Sequence, residues 1–201
     1  MKVLIGTNNL HKLEEFRQIF QAENIDIEIL SLKDMPFQVE DPVEDGNSFS
    51  DNALIKAKYF YNAYKIPCIS DDSGVVVDAL SGMPGIYTAR YAKLHGMDQT
   101  SANNRKVLLE NMLGKENRKA HFECNLTYYD GKTIISATGI MSGEIANKEF
   151  GTNGFGYDPI FYLPEYEKTV AELDEKVKNK LSHRYKAIMQ FIKKFKTYKN
   201  C

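Results

Sequence analysis

Apolar and polar positions change period several times along this chain, and each change marks an element. Lys2 to Gly6 is a short apolar run that predicts a strand, and Thr7-Asn8-Asn9 follows as a polar turn. Leu10, Leu13, Phe16, Ile19 and Phe20 then recur at helical spacing to about Glu23, with Asn8 or Asn9 as the cap. Asp26 to Leu30 alternates and predicts a strand, whereas Pro36, Pro42 and several acids make Lys33 to Asp45 a loop. Asn47 or Ser48 opens a second helix with Phe49, Ala53, Ala57, Phe60 and Tyr61 on one side. Pro67 to Ser70 and Val75 to Leu80 read as two strands, and Gly82 to Gly85 as a turn.

Thr100 or Ser101 opens a third helix with Val107, Leu108 and Met112 inward. Ala120 to Tyr129 alternates with Phe122, Cys124, Leu126 and Tyr128 on one face. Asp130-Gly131 is a hairpin signal, with a return strand from Lys132 to about Ala146. Phe150 to Pro159 is a glycine-rich loop, and Thr169 to Lys180 a loop with a short helical piece. Ser182 begins a last helix with Ile188, Phe191, Ile192 and Phe195 apolar. Strands alternate with helices early, and a long hairpin follows late. That order predicts one α/β domain over residues 1–201, with an elongated, strongly twisted mixed sheet flanked by helices.

Composition narrows the class. The chain has 201 residues, 43% hydrophobic, which suffices for a buried core. A net charge of -1 supplies no field that would draw it to nucleic acid or to a membrane surface. Lys186, Lys193, Lys194 and Lys196 of the last helix read as a solvated face. Cys68, Cys124 and Cys201 are odd in number and widely spaced, which predicts reduced thiols, and Cys201 as last residue cannot head a lipidation box. The N-terminus reads as a strand and not as a signal peptide. The expectation is a soluble cytoplasmic protein.

Candidate chemistry sits in five places. Ser70-Asp71-Asp72-Ser73-Gly74 sets two acids between apolar runs. Buried carboxylates are costly unless paired, so a divalent metal or a proton-transfer role would justify them. A polar turn is the plain alternative. Gly6 to Lys12 joins a strand to a helix N-terminus, where free N–H groups and a lysine suit phosphate; an ordinary capped helix is the alternative. Glu44 precedes the second helix, on which Asn52 and Lys56 share a face, while Asp45 and Asp51 read as capping acids. Gly151 to Pro159 combines glycines with Phe155 and Tyr157, which could stack on a planar base or merely anchor a loop. His183 and Arg184 stand in the first turn of the last helix, against its dipole, so an anionic or carbonyl-bearing partner is expected for them.

Together and in this order, these segments resemble the inosine triphosphate pyrophosphatase family. Thr7, Asn9 and Lys12 are similar to its T-x-N-x-x-K. Glu44 through Ala57, Asp71 through Tyr91, and Gly154 through Phe161 match its E-x-G-x-[ST]-F-x-E-N-A-x-x-K-A, its D-D-S-G segment and its G-F-G-Y-D-P-x-F. Glu175 and Lys178 through Arg184 resemble E-K-x-x-x-S-H-R; Lys176 competes for the lysine position, and spacing favours Lys178. Asp51 stands where the family has Glu, and Val43 where a second acid is frequent.

The resemblance implies hydrolysis of noncanonical purine triphosphates (ITP, dITP, XTP) to the monophosphate and pyrophosphate. It implies Mg²⁺, a homodimer, and a substrate cleft between two lobes. Thr7, Asn9 and Lys12 would hold the phosphate chain, and Asn8, Leu10 and His11 beside them would also bind substrate. Glu44 and Asp72 would ligate Mg²⁺, with Asp72 as general base and Lys56 as catalytic cation. Ser73 would contact substrate. Phe155, Gly156, Tyr157, Asp158, Lys178, His183 and Arg184 would form the base pocket, His183 and Arg184 donating to the oxygen at purine position 6. The Ile86-Tyr87 segment and the aromatic-rich hairpin are the expected dimer surface. A related pyrophosphatase for dTTP or a modified pyrimidine, or a silent nucleotide-binding protein, remains the alternative.

Overall fold

The computed structural model describes residues 1–199, so the reading of Cys201 lies outside the described residues. The elements are β1 (Lys2–Ile5), α1 (Leu10–Ala22), β2 (Glu28–Ser31), α2 (Phe49–Tyr64), β3 (Cys68–Val77), α3 (Tyr91–Leu94), α4 (Ser101–Asn111), β4 (Lys119–Tyr129), β5 (Ile134–Ile145), β6 (Phe161–Leu163), β7 (Lys168–Thr169), α5 (Glu175–Leu181) and α6 (His183–Lys199). They form a curled seven-stranded sheet in the order β2-β1-β3-β4-β5-β6-β7. β1 pairs in parallel with β2 and β3, whereas β6 pairs antiparallel with β5 and β7. The expected mixed α/β sheet is therefore present.

The chain divides into two compact units. The first comprises residues 1–72, 124–139 and the segment from 184 on; the second comprises 73–123 and 140–183. In the first, alternate residues of β1 supply two different cores. Val3 and Ile5 join Phe16 and Phe20 of α1, Ile69 of β3, and Ile188 and Phe191 of α6. Leu4 faces the other way, onto Phe60 of α2, Leu32 and Cys68. Helices thus cover both sheet faces, as parallel strands require. The second unit is built round Val75, Val77, Val107, Leu108, Phe122, Met141 and Phe161.

Most boundaries fall where the pattern puts them. Ser48 caps α2 by accepting from the Asp51 amide, and Thr100 caps α4 by accepting from the Asn103 amide. The largest departure is at the paired acids. No turn separates two strands there; β3 runs unbroken from Cys68 to Val77 and ends in a short 3-10 turn over Asp78–Leu80. Each acid meets a lysine from a covering helix, so the strand continues through them.

Candidate active site

Successive side chains of a strand point to opposite faces. Asp71 therefore shares the face of Ile69, under α1 and α6, while Asp72 shares that of Cys68 and Ser70, under α2. Within the first unit the two acids anchor two different clusters.

The Asp71 cluster is sealed. Asp71 has a fully buried side chain, and its Oδ2 accepts from the Lys12 ammonium at 3.0 Å and from Nε and Nη2 of Arg184 at 3.3 Å each. The Cys124 thiol donates to the same oxygen at 3.6 Å, while Oδ1 is buried without a hydrogen-bond partner. Arg184 is itself 2% exposed, and its Nη1 is bound by Glu15, one turn beyond Lys12 on α1. Burial alone would raise the Asp71 pKa, but Lys12, Arg184 and Lys56 outweigh it and hold the carboxyl well below the usual range. Burial would likewise strip the Arg184 proton, and Asp71 and Glu15 hold it on. The anionic partners expected for Arg184 at the helix start are thus supplied inside the chain.

The Asp72 cluster is more open. Lys56 projects from α2 with its ammonium 3.2 Å from Glu44 and 3.6 Å from Asp72. Burial disfavours its charge, but Asp72, Asp71 and Glu44 together raise its pKa, so it stays cationic at neutral pH. Asn52, one turn before Lys56 and fully buried, donates from Nδ2 to Asp72 Oδ2 at 3.0 Å. Its Oδ1 accepts from the Gly46 amide at 2.9 Å, so one side chain ties the Glu44 loop to the aspartate. Glu44 keeps 31% of its side chain exposed and Asp72 12%. Two partly open carboxylates gathered round one ammonium offer the oxygen donors that a hard divalent ion takes together with phosphate oxygens. Among the described residues no group of three or more His, Cys, Asp or Glu forms a metal cage by itself.

The strand-to-helix turn leads into α1. Asn9 is the cap, its Oδ1 accepting from the His11 and Lys12 amides at 3.0 and 3.4 Å, so two helix-start N–H groups are already engaged. Thr7 Oγ1 accepts from the Asn9 amide at 3.1 Å, and Asn8 donates to Asp41 at 2.7 Å. Leu10 is 58% exposed, and His11 lies exposed beside it.

The second unit holds the remaining candidates. The Lys178 ammonium lies 2.7 Å from Asp158 Oδ2 and 5.0 Å from the Phe155 ring centroid. Asp158 Oδ2 also accepts from the Phe155 amide at 2.9 Å, which folds the loop back on itself. Gly154 sits at φ +81, and a Cβ there would run into Asp158 Oδ2 and meet Lys178 Nζ at 2.7 Å. Tyr157 is buried and donates from its hydroxyl to the Thr88 carbonyl at 2.8 Å, so it anchors the loop, while Phe155 stays exposed beside it. The His183 ring stacks on Phe122, centroids 4.9 Å apart and 11° from parallel. Ser73 is half-buried on β3, and Gly156 is half-buried in the loop.

A family profile described as the Ham1 family matches residues 3–194. The chain belongs to the Ham1 family. A dITP/XTP pyrophosphatase of Leptospira interrogans is 40% identical over 198 residues, covering 98% of each chain. One from Clostridium tetani is 42% identical over 200 residues, 98% of this chain and 96% of that one. Among solved structures, a Ham1 protein of Coxiella burnetii superposes with a TM-score of 0.89 at 33% identity, over 98% of this chain and 99% of the other. The Staphylococcus aureus Ham1 protein gives 0.84 at 36% identity, over 98% and 100%. The resemblance read from the motifs is thereby borne out. Of the clusters' side chains, the sequence singles out Asn52 without a role and does not single out Glu15. Asn52 had a signal, its place on the Lys56 stripe; Glu15 had none, since its partner is 169 positions away.

Proposed function

We propose that this chain hydrolyses noncanonical purine nucleoside triphosphates (ITP, dITP and XTP) to the monophosphate and pyrophosphate. The observation that carries the reading is the buried Lys56 ammonium shared by Glu44 and Asp72, with Asn52 orienting Asp72. A binding module has no need of two acids held at the ends of a buried cation. The relatives named dITP/XTP pyrophosphatase support the same reaction class.

In this reading a triphosphate presents its anionic chain to the turn from Thr7 to Lys12, and Lys56 neutralises charge that builds on the phosphates. Asp72 orients a water for in-line attack at the α-phosphorus and accepts its proton, while pyrophosphate leaves. Asn52 holds Asp72 in place by donating to its Oδ2. Glu44 and Asp72 would hold Mg²⁺, which fits their oxygen donors and supplies phosphate charge neutralisation when bound. Lys56 stays protonated, so it serves as a fixed cation and not as a base.

Base choice falls to Phe155, Gly156, Tyr157 and Asp158, to Lys178, and to His183, whose ring N–H can donate to the position-6 oxygen. Ser73 would contact the substrate beside Asp72. Arg184 is committed to Asp71 and Glu15, and in this reading it braces the acid cluster. The protein would act as a cytoplasmic homodimer. No helix of the described residues is long and apolar enough to cross a membrane.

The test is pyrophosphate release from ITP, dITP, XTP, GTP, ATP and dTTP, with Mg²⁺ and with EDTA. Turnover of the first three far above ATP and GTP, abolished by EDTA and restored by excess Mg²⁺, is expected. Preference for dTTP would replace the substrate assignment, and no release from any triphosphate would overturn the reaction.

A further inference from the structure

The glycine-rich loop is held at its ends by side chains and backbone. Phe150 donates its amide to the Pro159 carbonyl at 2.9 Å, the Asn153 amide reaches the Ala171 carbonyl at 3.1 Å, and Asp158 binds Phe155 and Lys178. Gly156 lies within the turn that the Asp158 amide closes onto the Phe155 carbonyl at 3.2 Å. Gly156 stands at φ +61, and a Cβ built there would meet nothing within 4 Å. Glycine carries the largest conformational entropy of any residue, so each group that holds the Gly156 backbone adds to the rigidity of the bend.

Arg105 grips it. This side chain projects from α4, and its Nη1 donates to the Gly156 carbonyl at 2.9 Å while its Nε donates to Glu149 at 2.9 Å. Glu149 precedes the loop and Gly156 lies within it, so one guanidinium fork ties the bend to the residue before the loop begins. Arg105 keeps only 16% of its side chain exposed, and Glu149 44%. We propose that Arg105 is a positioning residue that fixes the glycine-rich loop in the shape that receives the base, through a strap of Arg105, Glu149 and the Gly156 carbonyl. This rests on the reading that Phe155 to Asp158 meets the base. Arg105 itself touches neither base nor phosphate; it acts through the loop, and its effect belongs to binding and base selection, not to the chemical step. A lysine cannot reproduce the strap, since its single ammonium cannot fork between both acceptors in the guanidinium geometry.

The experiment compares wild type, Arg105→Ala, Arg105→Lys and Phe155→Ala for kcat and KM with ITP and with ATP. Melting temperature and hydrogen exchange of residues 151–157 are measured alongside. For Arg105→Ala we expect KM for ITP to rise roughly tenfold, on the scale of one charge-assisted hydrogen bond, with kcat nearly unchanged. Faster exchange confined to the loop and a narrower ITP-over-ATP preference are expected too, with Arg105→Lys intermediate. Unchanged KM and exchange in Arg105→Ala, with Phe155→Ala impaired, would overturn the strap and leave the base-loop reading standing. A fall in kcat and melting temperature together, with exchange raised throughout, would overturn it as ordinary destabilisation. If wild type turns over ITP but Phe155→Ala and Arg105→Ala both behave like it, the base-loop reading falls and the proposal with it.

Discussion

Asp71 and Asp72 are adjacent on one strand, yet the strand's two faces give them opposite surroundings. Asp71 has no exposed side-chain surface and meets two cations, a thiol and the walls of a core. Asp72 keeps 12% of its side chain exposed, with an amide on one oxygen and an ammonium near the other. A sealed ion cluster contributes little to stability relative to an apolar core, but removing one member is costly because the others stay buried and unmatched. A partly open carboxylate held by one amide and one ammonium can meet water. In the proposed reading the contrast separates a group that shapes the site from a group that acts in it, with a single peptide bond between them.

The largest expected effect is chemical. Asp72→Asn should lower kcat with ITP by about 10²- to 10⁴-fold, the usual scale for a general base, with a urea midpoint close to wild type. A large loss of stability instead would put Asp72 in the same class as its neighbour. Next comes Arg184→Ala, which leaves Asp71 and Glu15 facing each other without their shared cation. Equilibrium urea unfolding should show a loss of about 3–5 kcal/mol. A loss under about 1 kcal/mol would mean that water or rearrangement satisfies the acids, and the cluster would not be sealed.

A smaller effect sharpens the comparison from the Asp72 side. Asn52→Ala should cost kcat by roughly tenfold or more, since the aspartate loses its orienting donor while Lys56 and Glu44 remain. Its KM for ITP should move little. Equal loss in KM would place Asn52 on the substrate instead.

The smallest effect is on alkaline stability. Cys68 is fully buried, and burial pushes its thiol from 9.0 up to about 12, while Cys124 is pushed up by burial and by Asp71. Both keep their protons in the folded chain at a pH where the unfolded thiols have lost theirs. Alkali therefore favours the unfolded chain, and stability falls as pH rises above about 9, by about 1.4 kcal/mol per unit per thiol. Maleimide labelling read by mass spectrometry should leave both unmodified at pH 8 until denaturant is added. Rapid labelling of Cys124 in the native protein would show that the Asp71 face is open.

Much of this arrangement can be read from the chain, and the rest cannot, for definable reasons. Helical spacing over Leu10 to Phe20, and over Phe49 to Phe60, marks α1 and α2 because each buries one stripe. The Asn52 and Lys56 pair is legible because four residues apart means one helix face. The path of β3 through Asp71 and Asp72 is not legible, because isolated acids between apolar runs look like a turn until their partners are known. Those partners come from α1, α2 and α6, and only the folded sheet brings Lys12 and Arg184 to the Asp71 carboxylate and Glu15 to Arg184. The same holds for Arg105, an exposed-looking residue in a polar helix whose two acceptors are more than forty positions away.

The most direct test sets the two acids side by side. Pyrophosphate release from ITP is measured per folded molecule for Asp71→Asn and Asp72→Asn, the folded fraction being fixed by urea unfolding of each. The account predicts that Asp72→Asn is folded and nearly inactive, whereas Asp71→Asn is strongly destabilised but retains most of its activity per folded molecule. Full activity in folded Asp72→Asn, or a stable and inactive Asp71→Asn, would contradict it.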